Sequence, residues 1–220
     1  MFINADATSA FGLSRRALLG MAVIAAMPFG GSAYADTAPA GATEAITNFN
    51  NALLGAMKAG ARTDFNHRFQ TLAPAVEQAF DLPAVLAVSV GPSWASLPPD
   101  QQTKLLQAFR RYTVASYVAN FDSYAGQSFS VSPAARDLGD GRLVVESRII
   151  PVNGDATQLD YVMKQTASGW KVVDVLAAGA ISRVAVQRSD FRHLLSSGGG
   201  DALLSSLQRK ISDLSGGALA

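Results

Sequence analysis

The sequence predicts an α+β fold in which helices are followed by a curved four-stranded antiparallel meander wrapped on helices, with further helices at the C-terminus. Three observations predict it. Apolar residues recur at helical spacing from residue 44 to about residue 124, the period changes from 3.6 to 2 between residues 128 and 176, and helical spacing returns from residue 181. The chain therefore separates its helices from its sheet.

An export signal is predicted at the N-terminus. Arg15 and Arg16 precede a short apolar run, and the small residues of Ala33-Tyr34-Ala35 follow it. The run, Ala17–Phe29, is shorter than the roughly 20 residues that a membrane-spanning helix needs. We therefore expect a cleavable signal peptide over residues 1–35, cut before Asp36, rather than a retained anchor. The paired arginines also resemble a twin-arginine signal, although two adjacent arginines also serve as an ordinary positive n-region.

The chain that remains is expected to form one domain. Removing 35 of the 220 residues leaves 185. A domain of this size can bury a core large enough to be stable without disulfides. We expect a flexible leader over residues 36–43, the domain over residues 44–214 and a tail over residues 215–220. The absence of cysteine excludes thiol catalysis, cysteine-bound metals and disulfides. The signal holds two basic residues and one acidic residue, so the remainder carries 16 of each and indicates no nucleic-acid partner.

Apolar stripes and helix-ending residues define the first three helices. The first helix is expected over Glu44–Ala59. The second begins near Thr63 with a strongly aromatic face, and Pro74 should bend it. Asp81 can cap a short third helix over Pro83–Val88.

The fourth helix carries the clearest start signal. Pro98, Pro99 and Asp100 place prolines near the first turn and an acid at the positive end of the helix dipole. The helix is expected to run to about Tyr124 with a broad apolar face. Such a face is typical of a helix in the core.

Alternation of apolar and polar residues predicts four strands joined by turns. The strands cover residues 128–132, 143–150, 158–164 and 170–176, and the turns contain Gly139-Asp140-Gly141, Asn153-Gly154-Asp155 and Ser168-Gly169. Gly179 then ends the last strand, and Ser182 can cap the helix that follows. Two last helices, over Ile181–Ser197 and Ala202–Leu214, are separated by Gly198–Gly200.

Few residues suit catalysis or metal binding. His67 and His193 each lie on a predicted helix without a second histidine or an acid at metal-binding spacing. Asp160 and Asp174 could supply an acid to an apolar pocket. Adjacent strand residues point to opposite faces, however, so Asp160 and Tyr161 cannot share a pocket. We therefore expect no catalytic residue, no metal and no cofactor.

Two groups of residues resemble the periplasmic lipid-carrier family typified by MlaC. The first group contains Phe80-Asp81-Leu82-Pro83, Gly91, Trp94 and Pro99-Asp100-Gln101, at the start of a helix that carries Phe109 and Tyr112. The second runs from Gly169-Trp170-Lys171-Val172-Val173-Asp174-Val175 through Gly179, Ser182, Arg188 and Phe191 to Ala202-Leu203-Leu204 and Lys210. The likeness spans about residues 44–214. The run of residues 182–186, followed by Arg188-Ser189-Asp190-Phe191, is most similar to the HpnM subfamily associated with hopanoid biosynthesis.

The resemblance implies a soluble periplasmic shuttle that carries a phospholipid or a hopanoid-type lipid between membranes, with acyl chains buried between a curved sheet and helices. It implies an NTF2-like or cystatin-like fold, no enzymatic activity, and partners in an inner-membrane ABC transporter complex and an outer-membrane lipid complex. The carrier is expected to be a monomer. Two alternatives stay open: a small-molecule-binding or isomerase-like enzyme on a cone-shaped α+β fold, and a periplasmic adaptor that carries nothing.

The residues expected to contact lipid are apolar positions on helices and alternate positions on strands. They are Phe80, Val85, Trp94, Phe109, Tyr112, Tyr117, Val131, Val145, Ile149, Leu159, Tyr161, Met163, Val173 and Val175. An inward-facing apolar residue is equally consistent with ordinary core packing. Arg183, Arg188 and Asp190 are assigned to a partner surface, although Arg188 with Asp190 is also consistent with a local ion pair. Ala180, Arg183 and Asp190 depart from the residues usual in the family, so a partner surface on this helix is expected to differ.

Overall fold

A six-stranded antiparallel sheet and five α-helices make up residues 36–219, the part of the chain that the computed structural model describes. The helices are α1 (Ala40–Ala59), α2 (Phe65–Ala79), α3 (Leu82–Val90), α4 (Pro99–Asn120) and α5 (Arg183–Ser215), with a 3-10 helix (Gly91–Ser96) between α3 and α4. The strands are β1 (Asp36–Thr37), β2 (Ser128–Gly139), β3 (Arg142–Ile150), β4 (Thr157–Thr166), β5 (Gly169–Ala177) and β6 (Ile181–Ser182). The sheet order follows the chain order from β1 to β6.

The predicted α+β fold is confirmed, and strands β2–β5 are the predicted meander. The structure adds two edge strands of two residues each, β1 against β2 and β6 against β5. Two residues show no periodicity, so the sequence could not predict them. Residues 36–43, expected as a leader, contain β1 and the start of α1 at Ala40. The predicted signal peptide lies outside the described residues.

Three register shifts interrupt the meander, one of them between Asp137 and Gly139 beside the turn from β2 to β3. Between Val131 and Ala135, strand β2 gains residues relative to β3, and Pro133 lies in this irregular stretch. Between β4 and β5, Val173 is an extra residue with no partner opposite it. Bulges of this kind bend a strand and increase its twist, so they contribute to the curvature that the helices fill.

Side-chain caps fix where the helices begin. Asp81 accepts a hydrogen bond from the backbone N–H of Ala84 at 3.1 Å, and Ser182 accepts one from Ala185 at 2.9 Å, as predicted. Each cap satisfies an N–H that has no partner within the helix. Helix α4 ends at Asn120, earlier than expected. No helix among residues 36–219 has the length and apolar character needed to cross a membrane.

Helix α5 consists of two helical segments that meet at a kink, at the glycines predicted to separate two helices. Gly198 and Gly199 have non-helical backbone angles, and Gly199 combines φ 65° with ψ −157°. This combination is accessible essentially to glycine alone. A Cβ at the next residue, Gly200, would lie 2.4 Å from the side chain of Gln101 on α4. The kink therefore permits a close approach of α5 to α4.

A helix–helix core lies between α2, α4 and α5. Its centre contains Ala115 and Ile211, and its partly buried members are Phe65, Phe69, Tyr112 and Leu214. The buried Arg68 of α2 donates from Nη1 to the carbonyl oxygen of Val118 on α4 at 3.0 Å. This core is separate from the contacts that helices make with the sheet.

Candidate functional site

One face of β3, β4 and β5 forms a continuous apolar surface. Val145 pairs with Tyr161 across β3 and β4, and Tyr161 pairs with Val175 across β4 and β5. Leu143 and Met163 form the next pair on the same face. Paired residues project from the same side of a sheet, and all five side chains are buried. We call this surface the interior face.

A row of aromatic side chains begins on the interior face and continues over it. We define the aromatic row as Phe80, Phe49, Tyr161, Tyr117, Phe121 and Phe129. The centre of the Phe49 ring lies 5.2 Å from that of Phe80, 5.1 Å from that of Tyr117 and 6.2 Å from that of Tyr161, and each pair is T-shaped. Such pairs contribute about 0.5–1.5 kcal/mol beyond their buried area. Phe49 of α1 is therefore the junction between helices and sheet.

The two tyrosines of the row bring hydroxyl groups into this apolar surrounding. Burial raises the pKa of Tyr117, and the positive charge of Arg183 opposes the rise. Burial also raises the pKa of Tyr161 well above its usual range, with further contributions from Tyr117 and Asp160. Both phenols consequently stay neutral at physiological pH. The two tyrosines therefore bring hydroxyl groups into the interior without bringing charge.

A polar pair, Asn50 and Ser147, lies between α1 and the interior face. Asn50 Nδ2 donates to Ser147 Oγ at 3.1 Å, and each residue is 2% exposed. Ser147 stands between Val145 and Ile149 on the interior side of β3 and opposite Val131 of β2. Within residues 36–219, Asn50 Oδ1 has no hydrogen-bond partner. The pair is thus a polar group inside an apolar layer.

Two grooves open on either side of Lys171, each with a volume of about 290 Å³. Phe80 lines the first groove, Phe49 lines the second, and Ser168 and Lys171 line both. Lys171 Nζ donates to the backbone carbonyl of Gln78, near the end of α2. Because the rings of Phe49 and Phe80 are in contact, both grooves lead to the aromatic row. Each groove alone is at the small end of the range for ligand pockets.

Most of the predicted lipid residues lie on the interior face or in the aromatic row. The buried ones are Phe80, Tyr117, Val145, Leu159, Tyr161, Met163 and Val175. Val131 and Ile149 share the same face and are half-buried. Their contact with lipid stays a prediction.

Phe109 and Tyr112 were expected opposite the sheet, and in the structure both have contacts with α5. Phe109 contacts Phe191 of α5 at 6.4 Å between ring centres. Tyr112 belongs to the helix–helix core and has Lys210 Nζ 5.7 Å from its ring centre. Helix α4 is covered on two sides, and its periodicity cannot tell which stripe meets which neighbour.

Three further predicted residues also lie apart from the aromatic row. Val85 is buried on α3, and Trp94 is half-buried in the 3-10 helix. Val173 is the extra residue of the β5 bulge, so Val172 takes the interior position opposite Met163. Strict alternation predicted Val173 there, and the bulge breaks that alternation.

The three residues assigned to a partner surface differ in exposure, and their role stays a prediction. Arg183 begins α5 half-buried, while Arg188 and Asp190 are exposed. Arg188 lies against Gly91, where an added Cβ would be 3.4 Å from its Nε. Arg188 and Asp190 form no ion pair, because residues two apart on a helix do not face each other.

The structure also reveals site residues that the sequence prediction missed. Phe49, Asn50 and Lys171 were not assigned to the site, although each lines a groove or the interior. Asn50 had a detectable signal, since it follows Ile46 by four residues and precedes Leu53 by three. A polar residue inside a buried stripe is informative. Lys171 carried no such signal.

Asp160 lies on the opposite side of the sheet from Tyr161, as predicted. It accepts from Gln158 Nε2, and burial followed by the charge of Glu146 raises its pKa, while the Gln158 hydrogen bond lowers it. Across residues 36–219, no three His, Cys, Asp or Glu side chains are grouped to hold a metal ion.

Comparison with known proteins gives two matches. A family model described as MlaC protein matches residues 47–209. The fold is similar to that of a phospholipid-binding protein from Ralstonia solanacearum, a structure determined in complex with a phospholipid. The TM-score is 0.68 at 21% sequence identity, and the match covers 81% of this chain and 99% of that one. This likeness is one of fold.

Proposed function

We propose that this chain, which belongs to the MlaC family, is a lipid-binding carrier that holds acyl chains between the interior face and the helices. The observation that carries the proposal is the aromatic row, which joins both grooves to the apolar surface of the sheet. The phospholipid bound by the Ralstonia solanacearum protein of similar fold supports it.

The energetics explain why a carrier needs such an interior. Each exposed methylene costs about 0.8 kcal/mol, so an acyl chain of roughly 16 carbons loses on the order of 13 kcal/mol on entering water. A carrier has to replace the apolar environment of the membrane by contacts between its own apolar side chains and the acyl chain. The head group can stay in water, which is consistent with a site that has few charged residues.

We assign lipid contact to the interior face and the aromatic row, with entry at the two grooves. Parting of Phe49 from Phe80, together with release of Lys171 from Gln78, would join the grooves into one larger opening. The volume of each groove supports this requirement, since about 290 Å³ is small for a lipid with two chains.

Extraction of the purified exported protein with organic solvent tests the proposal. Mass spectrometry of the extract should find phospholipid near one molecule per protein, and delipidated protein should take lipid from vesicles. Protein that is empty and takes up nothing would instead support the adaptor alternative. Turnover of a soluble small molecule by lipid-free protein would support an enzyme.

The finer assignments belong to the same proposal. We infer a periplasmic location, exchange with an inner-membrane transporter complex and an outer-membrane lipid complex, and a relationship to the HpnM subfamily. Membership of the MlaC family supports the first two. Vesicles with and without a hopanoid would test the third: the delipidated protein should extract hopanoid, and extraction of phospholipid alone would contradict the subfamily assignment.

A further inference from the structure

We propose that the polar pair, Asn50 and Ser147, recognises a hydroxyl group carried within the apolar part of the bound lipid. The inference rests on the proposed lipid-binding function and names the class of lipid that the interior prefers. A lipid with a hydroxyl at the matching depth should be selected over one with plain acyl chains.

Asn50 is a polar residue at a buried position where an apolar side chain would be enough for packing. It occupies the buried stripe of α1 between Ile46 and Leu53, and it faces an apolar region of β3. A buried amide oxygen without a partner destabilises the folded state, whereas an apolar side chain of similar shape does not. An unpartnered Oδ1 at 2% residue exposure therefore points to a ligand group that completes it.

The polar pair also leaves hydrogen-bonding capacity unused. Asn50 Nδ2 donates to Ser147 Oγ, which leaves Oδ1 as an acceptor. The Ser147 hydroxyl, in turn, donates to no acceptor found among residues 36–219. One acceptor and one donor thus lie side by side in a buried, largely apolar layer.

An alcohol complements this arrangement because it donates and accepts at once. Its O–H can donate to Asn50 Oδ1 while its oxygen accepts from Ser147. A ketone or an ester carbonyl can only accept, and a plain methylene chain does neither. The geometry consequently favours a hydroxyl over both.

The test is a competition assay with delipidated protein and a bound fluorescent fatty acid. The competitors are stearic acid, hydroxystearic acids with the hydroxyl at a series of positions, and the matching oxostearic acids. At one position the hydroxy acid should bind about 3- to 10-fold more tightly than stearic acid and than its oxo counterpart.

Variants locate the preference. Asn50→Leu should remove the hydroxyl advantage while stearic acid still binds, and Ser147→Ala should reduce it. Asn51→Leu is the matched control, since Asn51 is the exposed neighbour on the same helix and should keep the preference. Melting temperatures show which variants are folded. If Asn50→Leu does not fold, Ser147→Ala decides, and an unchanged advantage in that variant overturns the inference.

The remaining outcomes separate this inference from the proposed function. Equal binding of stearic acid and every hydroxy acid would overturn the inference alone. A preference for an oxo acid would also overturn it, because it would mean that the Asn50 amide presents its N–H₂ group to the ligand. If the wild-type protein binds none of the acids and takes no phospholipid from vesicles, the proposed function itself fails.

Discussion

Tyr117 and Tyr161 show how single residues can bring polar atoms into the interior without bringing charge. Their rings belong to the aromatic row, and burial holds the pKa of each phenol above its usual range. A neutral phenol is compatible with acyl chains, whereas a phenolate would have to be desolvated at high cost. The folded state therefore depends on both groups remaining protonated.

This dependence predicts a loss of stability in alkali. In the unfolded chain a tyrosine ionises near pH 10, while the buried groups stay protonated to higher pH. Above pH 10 the unfolded state binds fewer protons than the folded state, so the free energy of unfolding should fall by about 1.4 kcal/mol per pH unit for each tyrosine. The contribution is fully present below pH 10. Urea unfolding at a series of pH values measures it.

Phenylalanine variants identify the source of the loss. Tyr117→Phe and Tyr161→Phe should each make the alkaline decline shallower. Tyr124→Phe is the control, because Tyr124 is 44% exposed and should leave the slope unchanged. Equal slopes in the wild type and both buried variants would contradict the explanation.

Val145 offers a test of whether the interior face contacts lipid or only packs as a core. Its side chain is fully buried and pairs with Tyr161. If lipid occupies this region, Val145→Trp should fill the space, and bound lipid should disappear at near-normal melting temperature. In an ordinary close-packed core the added atoms would cost about 1–3 kcal/mol.

Bound lipid and melting temperature are measured on the same preparation. Retained lipid with a marked fall in melting temperature would mean that Val145 packs in an ordinary core and does not contact lipid. Val152→Trp is the control, since Val152 is 64% exposed and the same substitution should change neither quantity.

At the scale of elements, α2 and β5 meet at a junction that separates the two grooves. The isolated bridge between Phe80 and Val172 and the hydrogen bond from Asp81 N–H to the Val172 carbonyl at 3.0 Å hold the end of α2 beside β5. Lys171 adds a bond from its ammonium to the Gln78 carbonyl. An ammonium near the C-terminus of a helix also has a favourable interaction with the helix dipole.

Loss of that ammonium should ease opening of the grooves. We expect Lys171→Met to raise the rate of lipid transfer to acceptor vesicles several-fold, with a stability change of about 1 kcal/mol or less. Fluorescent phospholipid transfer measures the rate. Lys164→Met is the matched control, because Lys164 pairs with Lys171 on the adjacent strand but is exposed and lines neither groove. Equal rates in the two variants would argue against entry at these grooves.

At the scale of the whole molecule, the proposed route begins with export. We expect the mature protein to begin near Asp36 and to be recovered without its first 35 residues, because the apolar run is short and Ala33-Tyr34-Ala35 suits cleavage. N-terminal sequencing of the exported protein measures this. Recovery of the intact precursor from the membrane fraction alone would refute it.

The paired arginines distinguish between export routes. Replacing both Arg15 and Arg16 by lysine should block export if the twin-arginine route is used, because that route reads the arginine pair itself. Lysine keeps the positive charge of an ordinary n-region. Unchanged export would therefore assign the protein to the general route.

The sequence by itself determined the order and type of the main elements. Periodicity separated α1–α4 from β2–β5, and local chemistry placed the caps at Asp81 and Ser182 and the kink at Gly198–Gly200. These features depend on residues within one or two turns of each other, so they can be deduced from neighbouring letters. The strands β1 and β6 have two residues each, which is too short for a periodic pattern to predict them.

Only the tertiary structure decided which apolar residues meet. Tyr112 and Tyr117 lie on the same predicted helix, yet one joins the helix–helix core and the other the aromatic row. Likewise a single extra residue at Val173 moved the interior position of β5 to Val172. Long-range packing sets which side of a helix faces which neighbour and which residues pair across strands. The sequence cannot predict either, because each apolar stripe could pack against several partners equally well. The polar pair became visible for the same reason, since Asn50 and Ser147 are 97 residues apart and meet only in the fold.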